Sequence, residues 1–179
     1  MLIEWQDHVQ LDNGWYKSGH IEPTWNTDYK GLEYRKQPIK QDEIDVWRDQ
    51  GYYNQSYSGV MRDSRAGVPE WCDAIGPALG MYNCGYVIYC MSTLDIMPTH
   101  VDHFETYERI FNKQRSEIVR TLITLEDWKP GHYLEVAGKG YTNWHAGDFV
   151  MWTPEVPHAA SNIGRDPRWT LQVTGTLEP

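Results

Sequence analysis

Little in this 179-residue chain is basic, sulfur-rich or continuously apolar. Lys and Arg number 16 against 25 Asp and Glu, which leaves a formal net charge of −9. That balance is a poor match for nucleic acid or an anionic membrane, whose partners draw their affinity from neutralising phosphates. It favours a neutral or cationic target. The three cysteines, Cys72, Cys84 and Cys90, make no CxxC and no paired framework, so a reducing, cytoplasmic setting is expected. Apolar runs stop after a few residues, far short of the roughly 20 that a membrane-spanning helix needs. The opening Met1-Leu2-Ile3-Glu4-Trp5-Gln6-Asp7 has neither the basic start nor the apolar stretch of a signal peptide. With no repeat, linker or block of like charge, residues 1–179 read as one domain.

Phenylalanine is scarce too. Three Phe stand against nine Trp and twelve Tyr, so most aromatics carry a polar tip. Such residues suit half-buried strands, and also the walls of a wet cavity. Trp15, Trp25, Tyr29, Tyr34, Trp47, Tyr52, Tyr53 and Tyr57 are expected to wall its mouth.

Two stretches read differently. Residues 1–80 form an irregular, partly helical part with one helix inside Pro38–Gly51, where Ile39, Ile44 and Trp47 share a face and Asp42 is a candidate cap. A second short helix is expected over Pro69–Ile75, ended by Gly76-Pro77. From Met81 to Thr176 the chain becomes short β-branched and aromatic runs, at 86–91, 119–125, 132–136, 149–152 and 169–174. Turn signals separate them: Lys129-Pro130-Gly131, Gly138-Lys139-Gly140, Ala146-Gly147-Asp148 and Gly164-Arg165-Asp166-Pro167. That spacing predicts a mainly β fold, an antiparallel jelly roll with the N-terminal helices packed outside.

The chemistry gathers in three places. His100 and Asp102 lie two apart, so in extended backbone both side chains leave one face and could hold one edge of a divalent metal. His158 follows an apolar strand and sits among small residues. Two His and one carboxylate on one side of a metal leave three positions open. Arg168 comes ten residues after His158 and shares a strand face with Thr170, a pair able to clamp a carboxylate. Taken singly, each has a plain reading: a satisfied His–Asp bond, a turn histidine, a surface arginine. His103 is an odd step from His100 and is expected to face away. His132 and His145 sit beside turns and are expected to be solvated. Cys84 and Cys90 are expected to be buried strand cysteines.

In this order, His-x-Asp, about fifty residues of strands, His, then Arg, the chain resembles the Fe(II)/2-oxoglutarate-dependent oxygenases over Met81–Thr176, including the run Trp144–Trp152 ahead of the distal His. The resemblance implies a double-stranded β-helix (cupin-like) core and an Fe(II) site made by His100, Asp102 and His158. It implies 2-oxoglutarate and O2 as cosubstrates, with Arg168 and Thr170 on the distal carboxylate. The activity implied is hydroxylation of an unactivated C–H bond in a peptide residue or a small metabolite. Arg120 resembles an arginine of aspartyl/asparaginyl hydroxylase-like members, although Leu122 stands where that branch often has His; an exposed strand arginine is the plain alternative. The stretch His103–Phe111 reads as a partly helical connector with Phe104, Tyr107 and Phe111 packed inward, and Tyr107 and Arg109 as lesser substrate candidates. Two other classes fit the residues: a metal cupin that does not use 2-oxoglutarate, and a non-catalytic jelly-roll module binding sugar or peptide. Exposed aromatics would allow a homodimer.

Overall fold

The path of the chain between two sheets defines the architecture. The computed structural model describes residues 1–53 and 56–178. Its strands are β1 (Ile3–Leu11), β2 (Gly14–Ile21), β3 (Arg35–Lys36), β4 (Val60–Asp63), β5 (Tyr82–Met91), β6 (Asp95–His100), β7 (Ile118–Thr124), β8 (His132–Val136), β9 (Lys139–Tyr141), β10 (Asp148–Trp152), β11 (His158–Asn162) and β12 (Arg168–Thr176). Helices α1 (Gln41–Asp49), α2 (Ile75–Ala78) and α3 (Glu105–Phe111) lie between them. The larger sheet runs β1-β2-β10-β7-β12-β5-β4-β3 and the smaller β6-β11-β8-β9. From β5 onward the chain crosses repeatedly from one sheet to the other, so strands distant in sequence become neighbours. All the ladders are antiparallel. Strands β5 to β12 thereby wind into a double-stranded β-helix, as expected. No helix among the described residues is long and apolar enough to cross a membrane.

The N-terminal part departs from the expectation. It carries the two helical segments, but also four strands that widen the larger sheet on both sides. The β1–β2 hairpin turns at Asp12-Asn13 and docks on β10, with Asp148 to Trp152 opposite His20 to Tyr16. Gly14 follows that turn at φ +145°, and a Cβ there would lie 2.2 Å from Thr153 Oγ1, so only glycine fits. Strand β1 is polar and exposed along most of its length, which hid its alternation. Helix α1 starts from Lys40, whose backbone N–H donates to Glu43 at 3.3 Å; Asp42 is not the cap. Gly76 and Pro77 lie inside α2 rather than ending it, and the turn closes at Gly80.

The main apolar core is not inside the β-helix. Tyr86 and Ile88 of β5, Val119 and Ile123 of β7, Phe149 and Met151 of β10, and Leu171 and Val173 of β12 all face outward. They are covered by Ile21, Tyr29, Cys72, Ile75 and Leu79. Between the sheets a smaller cluster (Leu134, Val136, Trp144, Val150, Trp152, Val156) fills one end only. On β12 the inner positions Arg168, Thr170, Gln172 and Thr174 are buried polar residues. On β12 the alternation is therefore inverted relative to an ordinary half-buried strand, with apolar side chains outside and polar ones inside.

Candidate metal centre

Strand register brings the two histidines together. His100 ends β6, His158 begins β11, and the antiparallel ladder pairs them directly, with ring centroids 4.3 Å apart. Each Nδ1 is 2.8 Å (Pro98) or 3.0 Å (Val156) from a backbone carbonyl. A carbonyl only accepts, so both rings carry the proton on Nδ1 and turn the lone pair of Nε2 inward. Those Nε2 atoms lie 4.0 Å (His100) and 3.5 Å (His158) from the Asp102 carboxylate, which sits just past the end of β6. One donor atom from each of the three falls within 4.8 Å of the others.

The protonation states suit a metal. Burial pushes His158 down to about 4, against the upward pull of Asp102, so its ring is neutral near pH 7. Burial alone would raise Asp102, but the Arg120 guanidinium beside it outweighs burial and holds the carboxyl below its ordinary value. Asp102 Oδ2 is buried without a hydrogen-bond partner among the described residues. Two imidazole Nε2 atoms turned inward and one ionised carboxylate with an unmatched oxygen are a donor set that Fe(II) fits. Nearby groups fix this set. Arg120 Nη1 donates to Asp102 Oδ1, and the Gln172 amide, turned to present its oxygen, accepts from Arg120 Nη1 at 2.6 Å and Nε at 2.9 Å. Arg115 donates from Nη1 to the Asp102 carbonyl at 2.9 Å and from Nε to Glu155 at 2.7 Å, tying the Asp102 loop to the one that leads to His158.

Arg168 faces the cavity that is lined also by His100, Asp102, His158, Thr170 and Gln172. Only 3% of Arg168 is exposed, and its Nε and Nη2 have no hydrogen-bond partner among the described residues. Nη1 lies 3.2 Å from the Met91 sulfur, a weak acceptor, and the guanidinium sits 5.4 Å from the Trp144 ring. Burial without a counter-ion drags Arg168 down to about 10. The turn before it is held from inside. Asn162 donates to Met91 O at 2.9 Å and to Asp166 O at 2.8 Å, and accepts from Gly164 N at 2.9 Å. His132 Nε2 donates to Asp166 O at 2.9 Å while its ring stacks beside Trp144. His132 is therefore buried and structural, not solvated as expected, because the turn needs a donor for the Asp166 carbonyl.

The remaining sequence candidates divide. Arg120 is no exposed strand arginine; it lines the cavity and covers the Phe104 ring at 4.5 Å. Tyr107 packs with Phe104 and Ile118 and donates to Asn83 O at 2.8 Å, outside the cavity, and Arg109 is exposed on α3. His103 turns away to Glu43 at 3.4 Å, and His145 is exposed. Cys90 is buried in β5 and Cys84 half-buried. Of the eight N-terminal aromatics, Trp47 lines the mouth with the Tyr57 ring tilted against it at 5.6 Å. Trp15, Trp25, Tyr29 and Tyr34 instead pack on the outer face of the larger sheet. Arg115, Asn162 and Gln172 went unread. Only Gln172 left a signal, its step of two along the strand from Thr170.

No protein-family model and no curated protein matches the chain. Solved structures do match in three dimensions. A prolyl-4-hydroxylase from Pseudomonas putida aligns with 80% of this chain and 91% of its own at 17% identity and a TM-score of 0.51. The non-haem α-ketoglutarate-dependent carbocyclase SnoK of nogalamycin biosynthesis aligns with 86% of this chain and 84% of its own, at 12% identity and a TM-score of 0.51. At these identities the likeness is one of fold, and it agrees with the strand order: the chain is a double-stranded β-helix with a His-Asp-His cluster at its open end.

Proposed function

We propose that the protein is an Fe(II)- and 2-oxoglutarate-dependent oxygenase that hydroxylates an unactivated C–H bond of a peptide residue or small metabolite. The observation that carries this reading is Arg168, a buried guanidinium with two unmatched nitrogens in the cavity that holds the His-Asp-His cluster. A buried cation without a partner costs several kcal/mol, so its place in the fold makes sense when an anion enters with the metal. A metal cupin that does not use 2-oxoglutarate would leave Arg168 unexplained. The three free cysteines suit the cytoplasm.

In this reading His100, Asp102 and His158 hold the iron from one side through Nε2, a carboxylate oxygen and Nε2. The bound iron, with 2-oxoglutarate and O2, supplies the oxidising power that C–H cleavage needs. Arg168 takes the distal carboxylate of 2-oxoglutarate through its free Nε–H and Nη2–H, with Thr170 beside it. Arg120 and Gln172 keep Asp102 ionised and fixed. Leu122, Leu134, Ala160 and Trp152 line the same cavity and exclude water from it. The test is anaerobic titration with Fe(II) and then 2-oxoglutarate. A visible charge-transfer band that needs both additions is expected; iron binding without the band would overturn the 2-oxoglutarate assignment, and no iron binding would overturn the whole reading.

A further inference from the structure

An open groove of about 1200 Å³ leads outward from His100 and Asp102, between α1 and the strands β3 and β4. Its charges are paired except at one place. Lys40 meets Glu105 at 3.2 Å, His103 meets Glu43 at 3.4 Å, and Arg120 meets Asp102. Arg35 and Arg65 share a single carboxylate. Each donates from Nη2 to the same oxygen of Asp63, Arg35 at 2.6 Å, while the other oxygen accepts from Ala66 N at 3.2 Å. Two guanidiniums on one carboxylate leave one positive charge and most of their N–H groups unmatched. Both side chains are about half exposed, at 52% and 61%, and both line the groove.

The larger sheet connects this charge to the cavity that holds the His-Asp-His cluster. Register places Thr170, Tyr89, Met61 and Arg35 side by side across β12, β5, β4 and β3. Strands about 4.8 Å apart put the Arg35 backbone roughly 14 Å from that of Thr170. Tyr89 lies between, lining both the inner cavity and the groove. Its hydroxyl has no hydrogen bond among the described residues. Arg120 and Asp102 act on it from the metal side, and Asp63 and Arg35 from the outer side. The row thus runs from the outer cation past the Tyr89 hydroxyl to Thr170, which lines the cavity that also holds His100, Asp102 and His158.

We propose that Arg35 and Arg65 dock a carboxylate of the substrate, so that the substrate is a carboxylic acid lying past Tyr89 with its reactive C–H at the metal cluster. This rests on the oxygenase reading above, and it reverses what the net charge of the whole chain favours. Guanidinium pairs grip carboxylates through parallel N–H bonds, which a neutral amide cannot match.

The test uses protein loaded with Zn(II) and 2-oxoglutarate, probed by ligand-observed NMR with C4–C10 monocarboxylic acids, their primary amides, and capped peptides containing Asp or Glu. Acids are expected to bind and amides not. Arg35→Gln with Arg65→Gln should weaken acid binding at least tenfold while the Fe(II)–2-oxoglutarate band stays unchanged. Adding Asp63→Asn removes the carboxylate that the double variant strands, so the same loss can be read on a protein whose fold is checked by circular dichroism. Binding confined to the peptides would place the carboxylate on a side chain, and binding of the small acids on a free metabolite; either upholds the site. Equal binding of acids and amides, acid binding that survives both substitutions, or no acid binding while the band forms would overturn it. Absence of the band would instead overturn the oxygenase reading.

Discussion

Charged and neutral residues of the metal centre should respond differently when removed. Arg168 is buried as an unmatched cation, so its loss relieves the empty protein. Arg168→Met should leave the metal-free fold as stable as before or more stable by about 1–2 kcal/mol in urea unfolding, since apolar replacement of buried charge is often favourable. The same variant should bind Fe(II) and fail to develop the 2-oxoglutarate band. Asp102→Ala strands Arg120 beside Phe104, and denaturation should show a loss of about 3 kcal/mol along with loss of metal binding measured by calorimetry. His158→Ala removes a neutral ring and leaves the Asp102–Arg120 pair intact. It should abolish metal binding with the smaller stability cost of the two.

At the scale of elements, the strand β4 and the turn before β12 carry testable energies. Burial would raise Asp63, but hydrogen bonds from Arg65 and Arg35, with their charges, bring it down to about 2 from 3.8. A carboxyl depressed in the folded state adds stability that is complete above the unfolded value and lost as pH falls through the folded one. Asp63 should contribute about 2 kcal/mol at neutral pH, fading between about pH 5 and pH 2. Urea unfolding of wild type and Asp63→Asn should therefore differ at pH 7 and converge toward pH 2. Asn162→Ala would strand the Met91 carbonyl and the Gly164 N–H and take one of two donors from the Asp166 carbonyl, and thermal unfolding should show a cost of about 2–3 kcal/mol. These elements also show what the sequence could reveal. Strands β5, β7, β8, β10 and β12 were legible because their runs of β-branched and aromatic residues end at glycine and proline turns. Strands β6 and β11 were not, since Pro98 and the Ala159-Ala160-Ser161 run have little strand preference of their own; pairing with neighbours makes them strands. The candidate metal ligands could be read because their spacing in the chain carries the pattern. Arg115 could not, because its contacts to Asp102 and Glu155 come from segments 13 and 40 residues away.

For the molecule as a whole, ligand binding and folding should be linked. A metal and a dianion that bind only the folded state raise its stability by mass action, by about 3 kcal/mol at a hundredfold excess over the dissociation constant. Differential scanning fluorimetry should show one upward shift with Fe(II) under anaerobic conditions and a further one with 2-oxoglutarate, the second missing in Arg168→Met. The larger apolar cluster, with Leu171 and Val173 on the outer side of β12 and Ile75 and Leu79 over them, holds the sheet from the side away from the chemistry. The two faces of one strand thus answer to different demands. Substitutions at an inner position outside the cofactor contacts, such as Tyr89 on the neighbouring β5, can change what the cavity accepts while the outer packing that keeps the chain folded stays as it was. A lineage carrying this arrangement could exchange one substrate for another by small steps, each intermediate still folding well enough to be kept.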